Sequence, residues 1–152
     1  MSDDRDPLRA WLALLHVSNA LRKSIDARMR ERFGLSLSRF DVLAALDRAG
    51  EQGLSGGALS AWLNVTEGNT TQVTAPLINE GLVKRSISRE DGRVVILALT
   101  ARGKRTFKAV ARENLRWVND AFSELSPVQL AHLRDLLHAI APSKILAGEE
   151  VV

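Results

Sequence analysis

The sequence predicts a mainly α-helical fold carrying one small β-hairpin. Three observations point there. Apolar residues recur at three- and four-residue steps through most of the chain. Ser and Thr residues stand where those periodic segments begin, as helix caps do. Two runs rich in β-branched residues, LVKRSIS and VVILAL, flank a short polar link containing Gly92.

The first helix is expected over Leu8 to Phe33, with Leu14, Val17, Leu21, Ile25 and Met29 on one face and Gly34 as its stop. Its first half carries a second apolar face of Leu8, Trp11, Leu12 and Leu15, so it calls for two partners, one of them supplied by another chain. Ser38 is expected to cap a short helix ending at Gly50, Ser55 another ending near Asn64, and Thr66 a third ending at Gly81. Strands over Leu82–Ser88 and Val94–Leu99 follow. Thr100 caps a long helix from Ala101 to Glu124, with Ala111, Leu115, Val118, Phe122 and Leu125 as its stripe. Ser126-Pro127-Val128-Gln129 reads as a capping box with proline at the first helical position, opening a last helix with Leu130, Leu133, Leu137 and Ile140 on one face and ending before Pro142. Short helices, tight turns and a hairpin make residues 36–100 a winged helix-turn-helix. The outer helices, 8–33 and 101–141, come from both chain ends and form a helical dimerisation region, so the 152 residues make one domain.

Composition narrows the function. No apolar run approaches the length needed to cross a bilayer, the acidic start MSDDRDPLRAW lacks the features of a signal peptide, and there are no cysteines; a cytoplasmic location is expected, without disulfides or thiolate chemistry. The formal net charge is only +3, but it is unevenly spread. From Lys84 to Arg116 ten Lys or Arg face three acids, whereas residues 36–83 hold two bases and five acids. A basic segment beside a neutral, hydroxyl-rich helix suits a polyanion partner, although a solvated helix face plus a charged turn has the same composition. His16, His132 and His138 lack the spacing of a metal pair, and no phosphate loop, nucleophile elbow or paired carboxylates stand out, so no metal, cofactor or enzymatic activity is expected. Trp62 and Trp117 are expected in the core rather than at a ligand.

The run DGRVVILALTARG, with Asp91, Arg93, Leu99, Thr100 and Gly103, resembles the D-x-R…L-T-x-x-G signature of the multiple-antibiotic-resistance regulator (MarR) family; LSLSRFDVLAAL and EGLVKR are similar to it as well. The resemblance spans residues 8–141. It implies a dimeric winged-helix repressor or activator, often released from DNA by a small, frequently aromatic, anionic ligand. Two features depart from the pattern. Glu67, Gln72 and Pro76 stand where members often carry arginine, and Pro76 is expected to kink its helix. Without cysteine, an oxidation switch is excluded and a ligand switch is the better reading.

In a winged helix the second helix of the helix-turn-helix enters the major groove by its N-terminal residues. Thr66, Asn69, Thr70, Thr71 and Gln72 offer hydrogen bonds and methyl groups to base edges, and Gly68 permits close approach. Lys84, Arg85, Arg89 and Arg93 supply the charge that holds phosphates, with Arg89 or Arg93 suited to an adjacent minor groove. By resemblance, Asp91 pairs with an arginine and shapes the wing. The partners expected are a pseudo-palindromic double-stranded DNA operator, a second copy of the chain, and an anionic effector (an aromatic acid or acyl-CoA), which the resemblance implies would bind among the first helix, the second and the start of the fifth; no membrane partner is expected. The effector candidates are His16, Asn19, Arg22, Lys23, Arg39 and Arg112. The alternative is a winged helix used for protein–protein contact without specific DNA binding.

Overall fold

In a computed structural model of the chain, residues 4–140 are described; the end of the last expected helix at residue 141 and the tail beyond it lie outside the described residues. The elements run α1 (Asp6–Phe33), α2 (Leu37–Ala49), β1 (Leu54–Ser55), α3 (Gly56–Leu63), α4 (Glu67–Asn79), β2 (Val83–Ile87), β3 (Val95–Leu99), α5 (Ala101–Ala121) and α6 (Pro127–Ile140). The mainly helical architecture with a hairpin wing is as the sequence predicts.

Most helix starts follow from their caps. The hydroxyls of Ser55, Thr66 and Thr100 accept from the backbone N–H of Ala58, Asn69 and Gly103 at 3.1, 3.3 and 2.9 Å. At α6 the capping box closes in both directions: Gln129 N–H donates to Ser126 Oγ at 3.2 Å, and Ser126 N–H to Gln129 Oε1 at 2.9 Å. The start of α2 differs from expectation. Ser36, not Ser38, is the cap, its Oγ accepting from Arg39 N–H at 3.2 Å. Asp26 of α1 decides between them, because its Oδ1 takes the Leu37 N–H at 2.8 Å and so satisfies a second free donor of the same helix end.

The sheet is three-stranded, in the order β1-β3-β2, rather than a bare hairpin. β2 and β3 pair antiparallel from Val83↔Leu99 to Ile87↔Val95, and Leu54 and Ser55 pair with Leu97 and Ile96. Two residues carry too little periodicity to announce a strand, so β1 left no sequence signal. Gly53 makes the pairing possible: its φ is +67°, and a Cβ there would overlap the Leu97 carbonyl oxygen.

The core lies where α2, α4, the sheet and the first half of α5 meet. Met29, Val42, Leu43, Leu46, Leu59, Leu77 and Val110 are fully buried. Phe40 stacks on Phe107 with ring centroids 5.6 Å apart, and Phe33 meets Trp117 at 6.4 Å. Trp62 and Trp117 pack against this core. Thr100 fastens α5 to the end of α4, donating to the Gly81 carbonyl at 2.6 Å. Gly103 is required beside it, since a Cβ would overlap the Leu82 carbonyl oxygen.

The expected stripes behave differently in the outer helices. α5 turns Val110 inward and leaves Leu115 61% exposed. Of the expected α1 face, Met29 is buried, Leu14, Leu21 and Ile25 are half-buried, and Val17 is exposed. Leu8, Trp11, Leu12 and Leu15 are exposed, and α6 has no buried residue at all. No described helix is long and apolar enough to cross a membrane.

Candidate nucleic-acid interface

α4 is held at both ends, which fixes what its face presents. Thr66 caps its start. Its C-terminus closes with Gly81 at φ +74°, the N–H groups of Gly81 and Leu82 donating to the carbonyls of Ile78 and Leu77 at 3.0 and 2.9 Å. Arg102 donates to the Glu80 carbonyl at 2.8 Å, and Arg39 pairs with the Glu80 carboxylate at 3.5 Å. Pro76 lies inside the helix, which continues to Asn79 although the Gln72 carbonyl loses its usual donor.

The inner face of α4 buries Thr70, Thr74 and Leu77. Gly68, Asn69, Thr71 and Gln72 are exposed on the other side, with Thr66 exposed at the cap. Thr70 therefore departs from the expectation that it reads bases. It is 3% exposed; its Oγ1 donates to the Thr66 carbonyl at 3.2 Å and lies 2.9 Å from the Ser60 hydroxyl of α3. It locks the two helices of the helix-turn-helix together. Thr71 Oγ1 donates to the Glu67 carbonyl at 3.0 Å, leaving a methyl and lone pairs for the solvent side.

The four basic residues of the hairpin fall into two pairs. Lys84 and Arg85 are exposed on β2, and Arg85 lines a cleft of about 330 Å³ with Glu67, Thr71 and Ala75 of α4. Arg89 and Arg93 are exposed in the turn. Asp91 organises that turn: its Oδ1 accepts from the Arg93 N–H at 3.0 Å and from Arg93 Nε at 3.4 Å. Ser88 Oγ adds the N–H groups of Glu90 and Asp91 at 3.3 and 3.4 Å. The Arg93 side chain remains 92% exposed despite its pairing. A hydrogen-bonding helix face without cations thus stands beside a hydrogen-bonded loop of exposed ones, the combination needed to read base edges while holding phosphates.

Of the six effector candidates, Arg22 is the one that lines the two clefts beside α2. It pairs with Asp41 at 3.2 Å, and it shares one cleft with Asn69 and Val73 of α4 and the other with Arg48 and Trp62. His16, Asn19, Lys23, Arg39 and Arg112 line neither. Arg39 is engaged with Glu80, on the side of α2 toward the end of α4. Burial raises the Asp41 pKa, an effect that Arg22 opposes. Sequence reasoning missed Asp41, and also Glu113. Glu113 is a carboxylate on α5 buried between Arg32 of α1 at 2.8 Å and Arg116 at 3.4 Å. A single glutamate inside a basic helix gives no periodic signal of burial. Among the described residues no group of three or more His, Cys, Asp or Glu could hold a metal ion.

The sequence model of the MarR family matches residues 33–94. An HTH-type transcriptional regulator of Mycobacterium bovis, Mb0904, is 30% identical over 116 residues, covering 76% of this chain and 77% of its own. Among solved structures, the MarR-family regulator Sco3205 of Streptomyces coelicolor, in complex with DNA, superposes with a TM-score of 0.82 at 20% identity, over 95% of this chain and 92% of that one. CouR of Rhodococcus jostii RHA1, bound to p-coumaroyl-CoA, superposes with a TM-score of 0.73 at 19% identity, over 84% of this chain and 88% of that one.

Proposed function

The chain belongs to the MarR family of winged-helix transcriptional regulators, and from that premise we propose that it is a dimeric repressor whose two copies straddle a pseudo-palindromic DNA operator. Each copy lays α4 in a major groove and its hairpin along the flanking backbone. The observation that carries this reading is the division of labour at the surface. Gly68, Asn69, Thr71 and Gln72 face outward without a cation among them, while Lys84, Arg85, Arg89 and Arg93 are exposed next to them. Affinity comes from the hairpin and sequence discrimination from the helix.

Dimerisation through 8–33 and 101–141 follows from what the single chain leaves uncovered. A 14-residue helix with no fully buried residue gains little from its own subunit and is marginal alone. Leu8, Trp11, Leu12, Leu115, Val128 and Ile140, each more than half exposed, supply the apolar surface that a second copy covers.

The dimer is released by a small anionic ligand. CouR, which shares the fold, holds an aromatic acyl-CoA, and the clefts beside α2 offer Arg22, Arg48 and Trp62 for charge and stacking. The first of these clefts is also lined by Asn69 of the reading helix, so a ligand in it bears on DNA affinity directly.

Binding of a labelled duplex, measured by anisotropy across a salt series, tests the core of this reading. The affinity should fall linearly in log–log form as salt rises, with a slope near the number of phosphates contacted. A salt-insensitive interaction, or no duplex binding with retained affinity for a protein partner, would show a winged helix used for protein contact instead.

A further inference from the structure

The helical residues of α4 include a single ionisable side chain, Glu67, at the first position of the helix. Its neighbours on the outward side are neutral. Glu67 is exposed, and among the described residues it enters no ion pair. Its Oε1 rests beside Gly57, where an added Cβ would stand 3.5 Å away, and it shares the cleft with Thr71, Ala75 and Arg85. The carboxylate therefore sits at the junction of α3 and α4, on the N-terminal turn from which a recognition helix meets base edges.

A negative charge in that place opposes the phosphates and weakens every DNA complex unless a base repays it. An ionised carboxylate can only accept hydrogen bonds. Guanine offers the major groove two acceptors, and thymine an acceptor and a methyl, so both repel it. Adenine offers a donor beside an acceptor, a pattern that the amides of Asn69 and Gln72 match and a carboxylate does not. Cytosine offers its N4 amino group. We propose that Glu67 is a specificity-determining residue that selects cytosine at one position of each half-site and excludes guanine and thymine there. This rests on the DNA-binding reading given above.

The test is selection of bound duplexes from a randomised library by the full-length protein and by Glu67→Gln and Glu67→Ala, at one fixed salt concentration. The wild type should enrich cytosine at one position per half-site, by about tenfold over guanine. Glu67→Gln should move that position toward adenine, because glutamine pairs a donor with an acceptor. Glu67→Ala should leave it degenerate, and in both variants the other positions should stay as in the wild type. Identical selected sites in all three proteins would overturn the proposal. So would a uniform gain in affinity for every duplex without a change of preferred base, which is bulk repulsion. If the wild type selects no preferred sequence here and shows no salt dependence in the anisotropy series, the DNA-binding reading itself fails, an outcome distinct from the first two.

Discussion

Thr70 and Thr71 are adjacent and chemically identical, yet one is buried against Ser60 and the other faces solvent. Thr70→Val should keep the shape, lose the hydroxyl contact between α3 and α4, and cost about 0.5–1.5 kcal/mol of stability in urea denaturation. Thr71→Ala should leave stability nearly unchanged and alter preference among operator variants by about 1–3 kcal/mol, read by competition binding. A reversed pattern would show that the two have been assigned the wrong faces. Asp26 is a second residue whose role is local and checkable. The Leu37 N–H, and then Arg30 at 2.7 Å, hold its pKa below the ordinary 3.8. Its folded pKa is depressed, so its stabilisation is complete above the unfolded value and is lost as pH falls through the folded one. Asp26→Asn should therefore melt below the wild type at pH 7 and pH 5, with the gap closing below about pH 4. A gap that persists unchanged in acid would assign the effect to shape rather than charge.

At the scale of elements, the sequence was most legible where one residue does the work. Thr100, Ser55, Thr66 and the Ser126–Gln129 box cap helices as expected because capping depends on local spacing. It was least legible where a distant partner decides. Ser36 and Ser38 are equally good caps in isolation, and only Asp26, ten residues before Ser36, separates them. β1 exists because β3 offers it an edge, and Thr70 is inside because α3 lies over it. Spacing along α1 likewise cannot say which residues of α2 will stand opposite, and of the effector candidates it is Arg22 that lines the clefts there. The hairpin turn is an element that can be tested whole. Asp91 and Ser88 fix its backbone, and Arg93 projects from it. Arg93→Ala should weaken duplex binding and lower the salt slope by about one unit with the fold intact. An unchanged slope would remove Arg93 from the phosphate contacts.

For the whole molecule, most of the uncovered apolar surface lies on helices from both ends of the chain, while the core joins the middle to Met29 of α1 and Val110 of α5. Deleting residues 127–152 should abolish dimerisation in sedimentation and greatly weaken binding to a two-half-site operator. A truncated monomer that binds the operator as well as the full chain would refute the assembly. The proposed release by ligand has an energetic bound as well. Tenfold derepression needs about 1.4 kcal/mol of coupling, and operator DNA must weaken the ligand by the same factor.

The short pairing of Leu54 and Ser55 with β3 has a consequence for the genome the protein searches. A wing hung only from its own recognition helix would swing, and would accept flanking contacts at several offsets. Here the segment that launches α3 pairs with the strand that carries the wing, and α3 is bonded to α4 through Ser60 and Thr70, so helix and wing are tied at more than one place. Under the DNA-binding reading, each half-site becomes a gauge with fixed jaws: the bases met by α4 and the flank met by Arg93 stand a constant number of base pairs apart. In the proposed dimer, the distance between the two gauges is set separately, by the helices at the chain ends. One inserted base pair should then be tolerated far better at the centre of an operator than between the core and flank of either half.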